Sequence, residues 1–249
     1  MNLLHRLIDL VYPPRCAVCR TLLLQDAHGD EKGCRRVCSP CLAGFQALNQ
    51  PYCTICGRPF ASSTGTGHVC ESCLRKRPAF HALGAPYLYE GSLQRAIHSF
   101  KYGERSDLST FLGPLLSSFA RGWAPAEKVS LVMPVPLHPR RLRERGFNQS
   151  KLLAWYVARG LGAGLDFLSL RRVRYTQPQT GLGKADRRKN VRKAFALRTT
   201  GPVSGRTVLV VDDVATTGNT LNECARVLLK GGAETVLGLV LARTPNPAF

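Results

Sequence analysis

Four cysteine pairs, Cys16-Ala-Val-Cys19, Cys38-Ser-Pro-Cys41, Cys53-Thr-Ile-Cys56 and Cys70-Glu-Ser-Cys73, constrain this chain more than any other feature, with spacers of 18, 11 and 13 residues between them. A CxxC turn points two thiolates and nearby backbone N–H groups at one spot, and two such turns complete a tetrahedral four-cysteine zinc site. The metal's binding free energy then becomes folding free energy for a segment too short to fold on apolar burial alone. Disulfides need an oxidising compartment, and the opening MNLLHRLIDLVYPP, with Arg6 and Asp9 in its apolar pattern, reads as a short amphipathic helix stopped by Pro13-Pro14 rather than as a secretory signal. A redox dithiol would need a βαβ context around one pair. Iron–sulfur ligation stays open, since four thiolates also hold such clusters. Both a sequential and a cross-braced grouping of the eight ligands fit the spacing. Closed all-thiolate sites read as structural. Cys34 stands outside any pair and reads as a spare thiol, and Cys224 as a small buried residue.

The cysteines divide the chain into an expected metal-binding domain over residues 1–80 and an α/β domain over 81–249. No apolar run approaches the ~20 residues of a membrane span, and the expected location is cytoplasmic. Lys and Arg number 35 against 16 Asp and Glu, a formal charge of +19, which favours phosphorylated or polyanionic partners.

Beyond Arg77-Pro78, apolar runs alternate with helical stretches, the pattern of a parallel sheet flanked by helices. Expected strands are 131–133, 208–211 and 236–241. Leu93, Ala96, Ile97 and Phe100 keep helical spacing, as do Leu108, Phe111, Leu112 and Leu115, and another helix starts near Asn148. The decisive segment is Thr207-Val-Leu-Val-Val-Asp-Asp-Val-Ala-Thr-Thr-Gly-Asn-Thr-Leu221: buried strand, acidic pair, loop, helix start. Ligands of such sheets bind beyond the carboxyl ends of the strands. There Thr216, Thr217 and Thr220 offer hydroxyls beside a helix N-terminus, and Gly218 lets the backbone approach an anion. Asp212 and Asp213 are unsuited to phosphate but can accept hydrogen bonds from vicinal sugar hydroxyls. The ligand is therefore expected to be a ribose carrying a 5-phosphate. A P-loop is excluded, because no GxxxxGK[ST] occurs, and a receiver domain would leave the Thr-Thr-Gly-Asn-Thr loop unexplained.

Residues 208–220 resemble the fingerprint of type I phosphoribosyltransferases. The whole chain is similar to the ComF family through the paired cysteines, Tyr89-Glu90-Gly91, Ile97-His-Ser-Phe-Lys-Tyr102, Arg145-Gly-Phe-Asn-Gln149, Asn190-Val191 and Ala194-Phe195. The resemblance implies a type I phosphoribosyltransferase fold, a Rossmann-like parallel sheet flanked by helices, behind a double zinc-binding segment. It implies binding of 5-phosphoribosyl-1-pyrophosphate with Mg²⁺ and transfer of the phosphoribosyl group. Asp212 and Asp213 would hold the ribose hydroxyls, and Ala215, Thr216, Thr217, Gly218, Asn219 and Thr220 the 5-phosphate. Val135 and Pro136 would belong to a pyrophosphate loop, for which analogy suggests a cis peptide bond. Arg140, Arg141, Arg143 and Arg145 would lie on a mobile loop that closes over the leaving group. Phe147 and Asn148 would either contact a base or serve as packing residue and helix cap, with Gln149 beside them. Lys101 would touch an anionic ligand or merely end its helix. The basic stretch 171–193, with Gln179, Thr180 and Gly181-Leu-Gly183, would form the hood over the acceptor. ComF relatives are associated with natural transformation, so single-stranded DNA and proteins of the competence machinery enter as partners, and a DNA-binding module with a retained nucleotide pocket is the alternative to an enzyme.

Overall fold

The computed structural model describes residues 13–23, 37–61, 65–103, 105–175 and 191–245. The expected opening helix, Cys34 and the part of the hood at 176–190 lie outside them. The two cysteine segments repeat one plan. In each, the first CxxC sits in a turn closed by an antiparallel bridge, Arg15 to Leu22 and Tyr52 to Pro59, and the second opens a short helix: α1 (Ser39–Ala43) after Cys38 and α2 (Glu71–Arg75) after Cys70.

Then follow β1 (Leu83–Gly84), β2 (Tyr87–Leu88), α3 (Gly91–Tyr102), α4 (Ser109–Gly122), β3 (Leu131–Pro134), α5 (Pro139–Arg145), α6 (Gln149–Leu161), β4 (Gly164–Leu165), β5 (Leu170–Arg172), β6 (Phe195–Leu197), β7 (Thr207–Ala215), α7 (Asn219–Lys230) and β8 (Thr235–Arg243). The main sheet runs β1-β8-β7-β3-β4, with β2 also on β8, and every pair is parallel. β5 and β6 form a separate antiparallel pair. The three expected strands and the helices over Leu93–Phe100 and Leu112–Leu115 are present. β7 differs in continuing past Val211 to Ala215, so the acidic pair lies within the strand. The long apolar β8 offers ladder partners that far, Val214 against Ala242 and Ala215 against Arg243.

Because side chains alternate along a strand, the sheet carries two cores. Val132, Leu209, Val211, Leu237 and Leu239 face α3, α4 and α6. Leu131, Met133, Val208, Val210 and Val236 face α7 and the β5–β6 pair. The cysteine segments divide between them. Cys16, Ala17, Val37, Cys41 and Phe45 join the first core, whereas Cys53, Ile55, Cys56, Cys70 and Cys73 join the second. Backbone bonds fasten them to the sheet edge: Leu83 N donates to Ile55 O at 2.8 Å, and Leu88 N to Gln46 O at 2.9 Å. The cysteine-rich and α/β segments thus differ in chemistry and share their packing.

α4 and α6 cross closely because glycines line the contact. A Cβ on Gly113 would fall inside the Tyr156 ring's van der Waals envelope, and one on Gly160 would meet Ser117 Oγ. Gly113→Val is expected to lower stability by about 2 kcal/mol through overpacking, although valine is the better helix former. A urea midpoint equal to or above the wild-type value would show that the helices part without cost.

Candidate functional site

Asp213 points from β7 to the face covered by α3 and α6. Its Oδ1 lies 2.9 Å from Lys101 Nζ, and its Oδ2 accepts from Gln149 Nε2 at 3.0 Å. Burial works to lower the pKa of the Lys101 ammonium, but the Asp213 charge beside it more than offsets this and holds it above the usual value. Asp212 Oδ1 accepts from Ser150 Oγ at 2.7 Å and from the Asp213 backbone N–H at 3.0 Å. Gln149 and Ser150 reach the acids because α6 begins there. The Asn148 side chain accepts from Ser150 N and Lys151 N, and its Nδ2 donates to Val135 O. Ser150 was not singled out from sequence; its signal is its place in the first turn after a capping Asn.

Past Ala215 the chain forms a shallow hollow open to solvent, lined by Asp212 and by residues 214–221. All six expected phosphate-loop residues, Ala215 to Thr220, line it. Gly218 has φ +74°, a conformation that side chains resist, and it precedes the first turn of α7, where backbone N–H groups lack helical partners. Although part of Asp212 reaches solvent, the protein packed round its carboxyl and the neighbouring Asp213 push its pKa from 3.8 up to about 6, against the Ser150 hydroxyl. The folded protein therefore binds more protons than the unfolded chain between about pH 4 and pH 6, and stability falls as pH rises through that window. Asp212→Asn is expected to raise the melting temperature at pH 7.5 by a few degrees, about 1 kcal/mol, and to leave it unchanged near pH 4. Melting curves at both values check this; an equal effect at both would remove the titration from the explanation.

The arginine segment corrects the expectation of a mobile loop. Residues 139–145 form α5, with Pro139 in its first turn, His138 Nδ1 accepting from Arg140 N, and Gly146 ending it at φ +78°. Arg140 pairs with Glu144 at 3.0 Å and lies over the Tyr175 ring. Arg141, which also lies over the Tyr175 ring, and Arg145 line a second hollow with Lys101, Tyr102 and Glu144. Phe147 packs against Phe100 at 5.7 Å between ring centroids, so with the capping Asn148 it adopts the structural one of its two expected geometries. Val135 is buried and its N–H donates to Val211 O; Pro136 is partly exposed beyond it. The cis peptide among the described residues joins Gln50 and Pro51 and does not lie in this loop.

The cysteines fall into two sets of four, Cys16, Cys19, Cys38, Cys41 and Cys53, Cys56, Cys70, Cys73, each with its sulfurs within 4.8 Å of one another. The grouping is sequential, not cross-braced. Sulfur pairs at 3.6 Å (Cys19, Cys38) and 3.8 Å (Cys56, Cys70) match the edge of a tetrahedron with metal–sulfur bonds of about 2.3 Å. Such a cage fits one structural zinc ion and is too small for a cluster of irons. Backbone N–H groups of Val18 and Cys38 donate to Cys16 Sγ, and those of Cys56 and Cys70 to Cys53 Sγ. Cys224 is buried on α7.

Comparison with known proteins agrees with both halves. Residues 7–74 match the double zinc ribbon domain and residues 149–248 the phosphoribosyl transferase domain. The DNA utilization protein YhgH of Escherichia coli O157:H7 is 35% identical, over 94% of this chain and 99% of that protein. Competence protein F of Haemophilus influenzae is 32% identical, over 92% and 96%. Competence protein ComFC of Bacillus subtilis is 26% identical, over 97% of each.

Proposed function

Since the chain belongs to the ComF family, in which a double zinc ribbon precedes a phosphoribosyl transferase domain, we propose that it binds 5-phosphoribosyl-1-pyrophosphate and transfers the phosphoribosyl group to a nitrogenous acceptor. The observation that carries this reading is the hollow at the end of β7, where Asp212 and the 214–221 loop face the same space. The 5-phosphate would lie against the loop and the first turn of α7. The ribose hydroxyls would donate to the carboxylates, displacing the Ser150 hydroxyl from Asp212 and competing with Lys101 for Asp213. The diphosphate would lie toward Lys101, Arg141 and Arg145, whose charges stabilise the leaving group more as its bond to C1′ breaks. Mg²⁺, for which the partly exposed Asp212 would be the protein carboxylate, would supply further neutralisation of the leaving group.

Isothermal titration of zinc-loaded protein with 5-phosphoribosyl-1-pyrophosphate and Mg²⁺ tests this. Saturable binding is expected, weakened more than tenfold by Asp212→Asn with Asp213→Asn, the loss of more than ~1.4 kcal/mol that goes with charge-assisted hydrogen bonds. Folded wild-type protein that binds nothing would overturn it.

A second reading, a module that grips single-stranded DNA, is favoured by one feature. On the exposed side of α6, Lys151 Nζ lies 3.7 Å from the centroid of the Phe167 ring, and Arg159 lies 4.7 Å from that of Trp155. Cations beside exposed rings suit phosphates and stacked bases. Affinity for an oligonucleotide that falls steeply with salt would carry this reading, and its absence at low salt would end it. In that setting the competence machinery is the expected neighbour.

A further inference from the structure

One side chain belongs to both the second cysteine set and the phosphate loop. Arg243 ends β8 and is 1% exposed. Its Nε donates to Cys56 O at 2.9 Å, and its Nη1 donates to Ala215 O at 2.6 Å and to Thr216 O. Thr244 supports the same two carbonyls, through its N–H to Ala215 O at 3.1 Å and its hydroxyl to Thr216 O at 3.3 Å. Nη2 is buried without a hydrogen-bond partner. A buried guanidinium is costly to desolvate, and an apolar residue would fill the space, as the rest of β8 does. The arginine therefore answers to something beyond packing.

Two consequences follow from the geometry. In a planar trans peptide, C=O and N–H point in opposite directions. Drawing the carbonyls of Ala215 and Thr216 toward Arg243 turns the N–H groups of Thr216 and Thr217 away from it, and these two residues line the hollow. On its other side the guanidinium meets the turn of Cys56, and four thiolates around one dication carry excess negative charge that a buried cation offsets.

We propose that Arg243 is a positioning residue that couples metal occupancy of the Cys53, Cys56, Cys70 and Cys73 site to the affinity of the 215–220 loop for a sugar phosphate. Zinc fixes the Cys56 turn and supplies the counter-charge, Arg243 is held against both, and the loop carbonyls are clamped in the orientation that offers N–H groups to phosphate. The Cys16, Cys19, Cys38 and Cys41 site packs into the other core, and no such connection to the loop is found among the described residues. This inference rests on the phosphate-site reading above.

Coupling between two bound ligands is reciprocal, so it can be read in the unmutated protein. With ribose 5-phosphate as probe and a chromophoric chelator as competitor, saturating sugar phosphate is expected to tighten one of the two zinc ions about fivefold or more and leave the other unchanged. Arg243→Lys keeps a cation but loses the fork. It should fold, bind ribose 5-phosphate at least tenfold more weakly and abolish the tightening. If wild-type protein binds ribose 5-phosphate but neither zinc ion responds, or if Arg243→Lys binds the probe as tightly as wild type, the coupling is refuted and the phosphate site stands. If folded wild-type protein binds no ribose 5-phosphate, both fall together.

Discussion

Stripping zinc from the protein is expected to unfold both of its cores, not merely its N-terminal segment. Cys16 and Cys41 are buried in the core over α3, α4 and α6, and Cys53, Cys56, Cys70 and Cys73 in the core over α7. Thiolates without their ion repel one another or take up protons, and either change loosens residues that pack directly against the sheet. Structural zinc contributes about 10–16 kcal/mol per site in small domains, while a whole domain is stable by only about 5–15 kcal/mol. Loss of even a third of one site's contribution should lower the melting temperature by ~7–20 °C at the ~2–4 °C per kcal/mol of a chain this size. Chelation followed by thermal melts, read by circular dichroism and by fluorescence of Trp123, which packs on Phe119 and close to Gly84, provides the measurement. A metal-free protein that melts cooperatively within a few degrees of the loaded one would mean that the sheet stands without its ribbons.

Lys101→Met is expected to cost about 3 kcal/mol at neutral pH, because it leaves Asp213 charged and buried with Gln149 as its remaining side-chain partner. Adding Asp213→Asn should recover most of the loss, since the unpaired charge is then gone. Urea denaturation of the two single variants and the double variant measures this. Additive losses would show that the pair contributes nothing as a pair. Lys101 and Gln149 between them hold both carboxylate oxygens of Asp213 and so fix its orientation.

The strand with its acidic pair, the turn into the next helix and the clustering of the eight paired cysteines were legible because each is a run of neighbours in sequence whose chemistry is local. So was Asn148 as a helix cap. The metal grouping was not, because sequential and cross-braced arrangements share one spacing and only tertiary packing separates them. The arginines after Pro136 were expected on a mobile loop from the family resemblance, not from their own pattern. Local capping at His138 and the Arg140–Glu144 pair instead close a short helix. Arg243 left one faint trace, a single cation after the seven-residue apolar run 236–242, and its partners at Cys56 and Ala215 lie 187 and 28 residues away in the chain.

β8 follows every other strand named above in the chain, yet β1, β2 and β7 all pair with it. The cysteine turns precede the sheet in the chain and can take up zinc before it forms, but the surfaces they cover do not exist until β8 has been inserted. During synthesis each loaded ribbon is thus one half of an interface that awaits its other half, and the contacts that complete it are among the longest-range in the chain. A chain released before residue 235 would carry the fingerprint and all eight paired cysteines and still lack the strand on which both ribbons settle.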